Sequence, residues 1–277
     1  YQQILLEQPG HPPAEVALER LLTAQERWVD LGEVYERRVA QVREAGDLEA
    51  YRQAAARHAS LLAERLEHPE RAEEILSELL EEDPGYVPAI LALASVYEAR
   101  GDGGAMRLTL QRALDANPPG ADGAAVHLRL ARLAGEDRDK QRTHLERALE
   151  LDPSNVEATQ RLIELCREEE RWSQLAHLLE LAAARTGDPE RRRELVLERV
   201  DLQLHRLGDA EGALRVLAPL YKDVQDDVEV NRRIADALYA AERLTEAAGM
   251  YNWLVEMGRR SKRSKIMAHD LTRLAKI

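Results

Sequence analysis

The residues that could carry catalysis or bind a metal are scattered along this chain of 277 residues. The eight histidines form no HExxH motif and no pair at helical spacing, and no glycine-rich phosphate loop or Gly-x-Ser-x-Gly turn is present. The single cysteine, Cys166, shares an apolar helical stripe with Leu162 and Leu165, as a buried, inert thiol does. The sequence therefore predicts no catalytic residue, no cofactor and no metal site, and hence no enzyme.

The charge balance narrows the class of partner. Asp and Glu outnumber Lys and Arg by 51 to 39, a net charge of −12, which argues against a nucleic-acid partner because such binders are basic. No apolar stretch reaches the roughly 18 residues of a membrane span. A lone cysteine favours a reducing compartment such as the cytoplasm. The periplasm stays open as an alternative, because the sequence begins with Tyr1 and we expect its N-terminal side to be missing.

One cluster of cations stands apart from this acidic background. Residues 259–277 contain seven Lys or Arg against one acid. The cations could stabilise the negative end of the preceding helix, or could dock an acidic protein, an anionic lipid surface or a nucleic acid. The basic patch consists of Arg259, Arg260, Lys262, Arg263 and Lys265.

The elements that carry these residues repeat along the chain. Pro84, Pro118 and Pro153 each end a run of helix-forming residues, and they lie 34 and then 35 residues apart. Pro189 follows 36 residues later. Because proline cannot continue a helix interior, each unit is predicted to hold two helices that end before the next unit.

The unit over residues 85–118 shows two apolar stripes at helical spacing. The stripe positions are Ile90, Leu93, Ala94 and Tyr97 in the first helix, and Met106, Leu110, Ala113 and Leu114 in the second. A helix pair of this kind cannot bury its apolar faces alone and must stack on copies of itself.

These residues resemble the tetratricopeptide repeat family over nearly the whole chain. The resemblance rests on the period near 34, on Leu93-Ala94-x-x-Tyr97, on the Gly101-Asp102 turn, on Ala113 and on the Asn-Pro or Asp-Pro terminators. It implies an all-α fold, an α-solenoid with a right-handed superhelix of about seven antiparallel helix pairs plus a terminal helix. In the fourth unit Glu136-Asp137 is expected to replace the glycine turn.

We expect residues 1–277 to form one such solenoid, a segment of a larger bacterial protein. The expected parts are a half-repeat over 1–9, pairs near 11–46, 48–84, 85–118, 119–153, 154–189, 190–225 and 227–258, and a terminal helix over 264–277.

The roles of two tryptophans depend on whether each lies in the first or the second helix of its pair. The segment from Trp28 to Tyr35 matches the W-x2-L-G-x2-Y pattern of a first helix, but Trp172 follows a first helix and precedes a terminator. Both tryptophans are therefore predicted to open second helices and to pack at the turn rather than to stack on a ligand.

The resemblance implies that first helices line a concave groove. The groove positions carried over from the family are Arg57, Glu64, Leu91, Ser95, Glu98, Gln160, Glu164, Arg167, Glu198, His205, Arg232, Asp236 and Tyr239. Their mixed charges and amides suit a peptide or a helix rather than an apolar small molecule.

We therefore expect a non-catalytic scaffold or adaptor that binds a protein or peptide partner in the groove. The alternative is a regulatory or substrate-presenting arm of a larger enzyme or of an envelope-associated complex. A weaker third hypothesis is an array that assembles end to end. The sequence does not define an oligomeric state.

Overall fold

The computed structural model describes residues 11–223, 225–260 and 264–277. The half-repeat expected over 1–9 lies outside the described residues. The described residues divide into two compact units, a first unit that ends at Asn155 and a second unit from Val156 to Ile277.

The described residues form fifteen helices, which confirms the all-α class and the arrangement in helix pairs with a terminal helix. In the first unit the helices are α1 (Pro12–Ala24), α2 (Trp28–Glu44), α3 (Leu48–Glu64), α4 (Pro69–Glu82), α5 (Val87–Ala99), α6 (Gly103–Asp115), α7 (Gly120–Leu133) and α8 (Arg138–Leu151). In the second unit they are α9 (Val156–Glu168), α10 (Trp172–Arg185), α11 (Pro189–Leu202), α12 (Ala210–Asp223), α13 (Val228–Ala240), α14 (Leu244–Arg260) and α15 (Ser264–Leu274).

Short capped turns separate the two helices of a pair. Gly101 takes a positive φ of 71° after α5, and the Asp102 carboxylate accepts a hydrogen bond from the amide of Ala105 to cap α6. The expectation for the fourth unit was wrong. Gly135 supplies the positive φ there, one residue before Glu136, and Asp137 is the N-cap of α8, so this turn keeps its glycine.

The helices of the first unit pack as neighbours in sequence and also one pair apart. Because the turns are short, consecutive helices run antiparallel and contact each other, and α3 contacts α5 as α5 contacts α7. The predicted stripes are buried: Ile90, Met106 and Leu110 are at most 2% exposed. Ala94 and Ala113 are fully buried, so their small side chains let α5 and α6 approach closely.

The second unit has the same pair arrangement and one irregular helix end. α11 continues into a π-helical turn, Gln203–Leu207, which ends at Gly208 with φ 66°. The sequence analysis did not foresee this turn. Cys166 is fully buried in α9, in agreement with its assignment as a core residue. None of the helices in the described part of the chain has the length and apolar character that a membrane crossing requires.

Candidate functional site

The first unit contains a cavity of about 770 Å³, here called the α3 cavity. Its floor is one face of α3, because Glu49, Gln53, Arg57, Ser60 and Glu64 follow each other at intervals of three or four residues. Its walls come from other elements, chiefly Trp28 and Tyr35 of α2, Arg65 after α3, and Tyr86 and Pro88 at the start of α5. Two predicted groove residues, Arg57 and Glu64, therefore lie together in one cavity.

Glu19 of α1 organises the wall of the α3 cavity. The Tyr35 hydroxyl donates a hydrogen bond of 2.6 Å to the Glu19 carboxylate, and the Arg57 guanidinium lies 3.7 Å from the same group. Burial, followed by the bond to Glu19, raises the pKa of Tyr35. The contacts hold Tyr35 neutral and fix its ring, while the Arg57 side chain stays 61% exposed.

An arginine stacks on each of the two tryptophans that open second helices. α2 begins at Trp28 and α10 begins at Trp172, as predicted. The Arg65 guanidinium lies 4.8 Å from the Trp28 ring centre, and Arg206 lies at the same distance from Trp172. Trp28 also lines the α3 cavity. The expectation of a packing role thus describes only part of what Trp28 does.

The groove positions of α5 are tied to its neighbours in the first unit. The Ser95 hydroxyl donates to the Leu91 carbonyl, and Arg129 of α7 donates to that carbonyl at 2.6 Å. Glu98 pairs with Arg132 of α7 at 3.7 Å. Burial lowers the pKa of Arg129, against the opposing charges of Glu98 and other acids. Sequence analysis missed Arg129, although it lies 38 residues after Leu91, close to one repeat away.

In α9 and α11 some predicted groove residues are exposed and others are paired. Gln160 and Glu164 are exposed on α9, and His205 is exposed in the π-helical turn. Arg167 and Glu198 bind each other instead, through an ion pair of 2.7 Å between α9 and α11.

The three groove positions of α13 contact the terminal helix α15 and its neighbour α14. Arg232 forms a two-pronged ion pair with Asp270, with one N–O distance of 2.8 Å, and Asp270 is fully buried. The other two groove positions of α13, Asp236 and Tyr239, also contact side chains of neighbouring helices. Asp236 accepts a 2.6 Å hydrogen bond from Tyr251 and lies 3.2 Å from the His269 ring, while Tyr239 lies under the guanidinium of Arg273.

The chain is similar to several solved structures. No protein-family model and no curated protein matches the chain. Solved structures do match it: a tetratricopeptide repeat protein from Parabacteroides merdae at 13% identity, with a TM-score of 0.45, covers 94% of this chain and 98% of its own. YrrB, described as a TPR protein with an unusual peptide-binding site, matches at 18% identity and a TM-score of 0.45, over 74% of this chain and 97% of its own. The antiparallel helix pairs that repeat along this chain give it a tetratricopeptide-like fold.

A third match is to a larger assembly. The structure of Naa15/Naa10 bound to HypK-THB matches at 19% identity with a TM-score of 0.46, over 87% of this chain. This chain spans 39% of the length of the chain that it matches there.

The tetratricopeptide-like fold also brings together two histidines that sequence analysis did not pair. Nδ1 of His127 in α7 lies 3.0 Å from Nδ1 of His144 in α8, so one ring donates a hydrogen bond to the other. Burial, and then the neighbouring His144, lower the pKa of His127 to about 4. Among the described residues no group of three or more His, Cys, Asp or Glu side chains could hold a metal ion.

The basic patch lies partly outside the described residues. Arg259 is exposed in the last turn of α14, Arg260 ends that helix, and Lys265 lies in the first turn of α15. Lys262 and Arg263 lie outside the described residues. A docking role for this patch stays a prediction.

Proposed function

We propose that this chain is a non-catalytic scaffold or adaptor that binds a protein or peptide partner on the faces of its first helices. The observation that carries the proposal is the α3 cavity. The chain has only 11 aromatic residues, three Trp and eight Tyr, and three of them, Trp28, Tyr35 and Tyr86, line this one cavity. Aromatic and arginine side chains are the types that most often anchor protein interfaces.

The chemistry of the lining favours a peptide over a small apolar ligand. Two acids, two arginines, an amide and several hydroxyl groups surround the α3 cavity, so about half of its surface offers hydrogen bonds. An extended peptide presents backbone donors and acceptors along its whole length and can use such a lining. A volume of about 770 Å³ is in the range of binding pockets, roughly 300–1,000 Å³.

The partner-binding face is narrower than the set of groove positions carried over from the family. Arg167, Glu198 and Arg232 are held in ion pairs between helices, so a partner would have to break those contacts. Glu64 in the first unit and Gln160 in the second are exposed. We propose that a partner contacts these open positions first.

Site-specific photo-crosslinking tests the proposal without changing any of the ion pairs between helices described above. The photoreactive residue p-benzoylphenylalanine is placed at position 64 or 160, on first helices. The matched controls carry it at the exposed positions Glu78 of α4 and His177 of α10, on second helices. Each protein is irradiated in lysate of the source organism, and the adducts are identified by mass spectrometry.

The expected result is a defined adduct from position 64 or 160 that the control on the same unit does not give. Adducts that form equally at first-helix and second-helix positions, or at none of the four, would overturn the proposal.

A further inference from the structure

We propose that the α3 cavity selects a peptide by an internal acidic side chain, whose carboxylate is bound by Arg65 where that residue stacks on Trp28. This inference rests on the proposed function and specifies an acidic side chain in the peptide that binds. The carboxylate belongs to a side chain within an extended peptide segment. It is bound at the C-terminal end of α3, beside the first residue of α2.

Arg65 is exposed and available, whereas the other arginine of the cavity is engaged. Arg57 lies 3.7 Å from Glu19. Arg65 forms no ion pair with any residue that the structure describes, although the chain carries 51 acids. The Arg65 side chain lies over the Trp28 ring, with 4.8 Å between the guanidinium carbon and the ring centre.

The stack prepares Arg65 for a carboxylate. The planar guanidinium fork of an arginine matches the two oxygens of a carboxylate, and the contact with the Trp28 ring restricts the positions that the Arg65 fork can take. Trp28 is itself held in place, because it packs against a buried apolar cluster that includes Leu31 and Leu61. Ordering of the arginine is therefore largely complete before a ligand arrives, which lowers the entropic cost of binding.

Two acids, Glu49 and Glu64, also line the α3 cavity, and each could weaken the binding of a carboxylate by repulsion. Glu49 accepts a hydrogen bond from Gln53 at 2.8 Å and lies 16 residues before Arg65 on α3, at the far end of the floor. Glu64 is next to Arg65 in sequence, and its charge also acts on Arg129 of α7. Because Glu64 repels an incoming carboxylate, its neutralisation should strengthen the binding that loss of Arg65 weakens.

The test uses the whole chain labelled with 5-fluorotryptophan, so that each tryptophan reports separately by fluorine NMR. The ligands are three libraries of N-acetylated, C-amidated nonapeptides with random residues around a fixed central Glu, Gln or Lys. Amidation removes the terminal carboxylate as a source of charge. Trp172, which carries the same arginine stack in the second unit, is the internal reference.

We expect the Glu library to shift the Trp28 resonance at about one tenth of the concentration that the Gln library needs, since a charge-assisted bond is lost in the Gln peptides. Arg65→Gln should abolish this difference, and Arg65→Lys, which keeps the charge but not the planar fork, should retain part of it. Glu64→Gln should lower the concentration needed by the Glu library. The matched control, Arg206→Gln, should leave the Trp28 response unchanged.

Equal shifts with the three libraries, a preference for Lys, or no Trp28 shift with any library would overturn the inference. A first-helix photo-crosslink that forms in lysate despite such a result would leave the proposed function standing. Circular dichroism of each variant identifies a loss of fold, and Arg65→Lys keeps the test decisive if Arg65→Gln does not fold.

Discussion

At the scale of single residues, Asp270 is the one charged side chain among the described residues that is fully buried. Arg232 binds both of its oxygens and is itself 25% exposed. Arg232→Ala would leave the carboxylate buried without its counter-ion, and we expect a loss of about 2 kcal/mol in the free energy of unfolding. Urea denaturation measures the loss.

The matched control for Arg232 is Arg243→Ala, because the partners of Arg243 on α14 and α12 are exposed. Its expected cost is much smaller than that of Arg232→Ala, because exposed ion pairs contribute little to stability. Equal losses in the two variants would show that α15 is not held by this pair. The structure also shows why a charge reversal at Arg232 is a poor probe of partner binding: it would place an acid against Asp270.

The His127 and His144 pair makes the stability of the first unit depend on pH. The pKa of His127 is lowered to about 4 and that of His144 is lowered as well, both mainly by burial. Between the unfolded value near 6.5 and the folded value near 4, the unfolded chain binds more protons than the folded one. The stability is therefore complete above about pH 6.5 and falls as the pH drops towards 4.

We expect this loss to be on the order of 1 kcal/mol, because both rings are only partly buried and solvent screens them. The double variant His127→Gln with His144→Gln should flatten the pH dependence measured by thermal unfolding. His177→Gln on the exposed face of α10 should leave the slope unchanged. A double variant with the slope of the parent protein would contradict the assignment.

At the scale of elements, the turns between helices share one backbone feature. A residue with positive φ precedes the next helix at Gly101, Gly135 and Gly208, but at Glu170 and Glu242 the same position is not glycine. A side chain in this left-handed conformation costs about 1 kcal/mol relative to glycine. Glu170→Gly should therefore raise the free energy of unfolding by about 0.5–1 kcal/mol, as measured by urea denaturation.

Glu164→Gly is the control for Glu170→Gly, because the same substitution should lower the stability when it is made inside a helix. Glu164 lies in the interior of α9, where glycine costs about 1 kcal/mol of helix stability. Destabilisation by Glu170→Gly as well would show that the Glu170 side chain contributes more than its backbone conformation costs.

The helices themselves could be predicted because their signals are local. The stripe through Ile90 and Leu93 and the Gly101-Asp102 turn follow from residues within one or two turns of each other. The start of α2 at Trp28 followed from comparison with the parallel segment at Trp172. The pairing of His127 with His144 and the stack of Arg65 on Trp28 could not be predicted so directly. Those contacts join separate helices, and their geometry depends on the packing angle between the helices.

For the groove residues too, the sequence predicted where a side chain lies but not whether it is already paired with another helix. The family register assigned Arg232 to a first-helix face, but it carried no information on whether another helix would contact that side chain. Asp270, which does so, lies 38 residues away on α15. A repeat register therefore gives the position of a side chain, and only the neighbouring repeats decide whether it is free to meet a partner.

At the scale of the whole molecule, arginines join neighbouring repeats. Arg167 pairs with Glu198, Arg193 with Asp227 and Arg233 with Asp201, at separations of 31, 34 and 32 residues. Each separation is close to one repeat, so each pair joins the first helices of successive helix pairs. The stability of a repeat array depends on such interfaces between neighbours as well as on the repeats themselves.

Substitution of these arginines by lysine separates geometry from charge, because the net charge of −12 does not change. The Arg233 fork binds both oxygens of Asp201, and an ammonium group cannot reproduce that contact. The triple variant R167K/R193K/R233K should lose about 1–2 kcal/mol of unfolding free energy, since all three pairs are partly exposed. The matched triple R161K/R171K/R191K alters ion pairs between residues two to four positions apart and should lose less than about 0.5 kcal/mol. Equal losses would mean that the pairs between repeats contribute no more than the local ones, and that apolar packing alone sets the cohesion between neighbouring helix pairs.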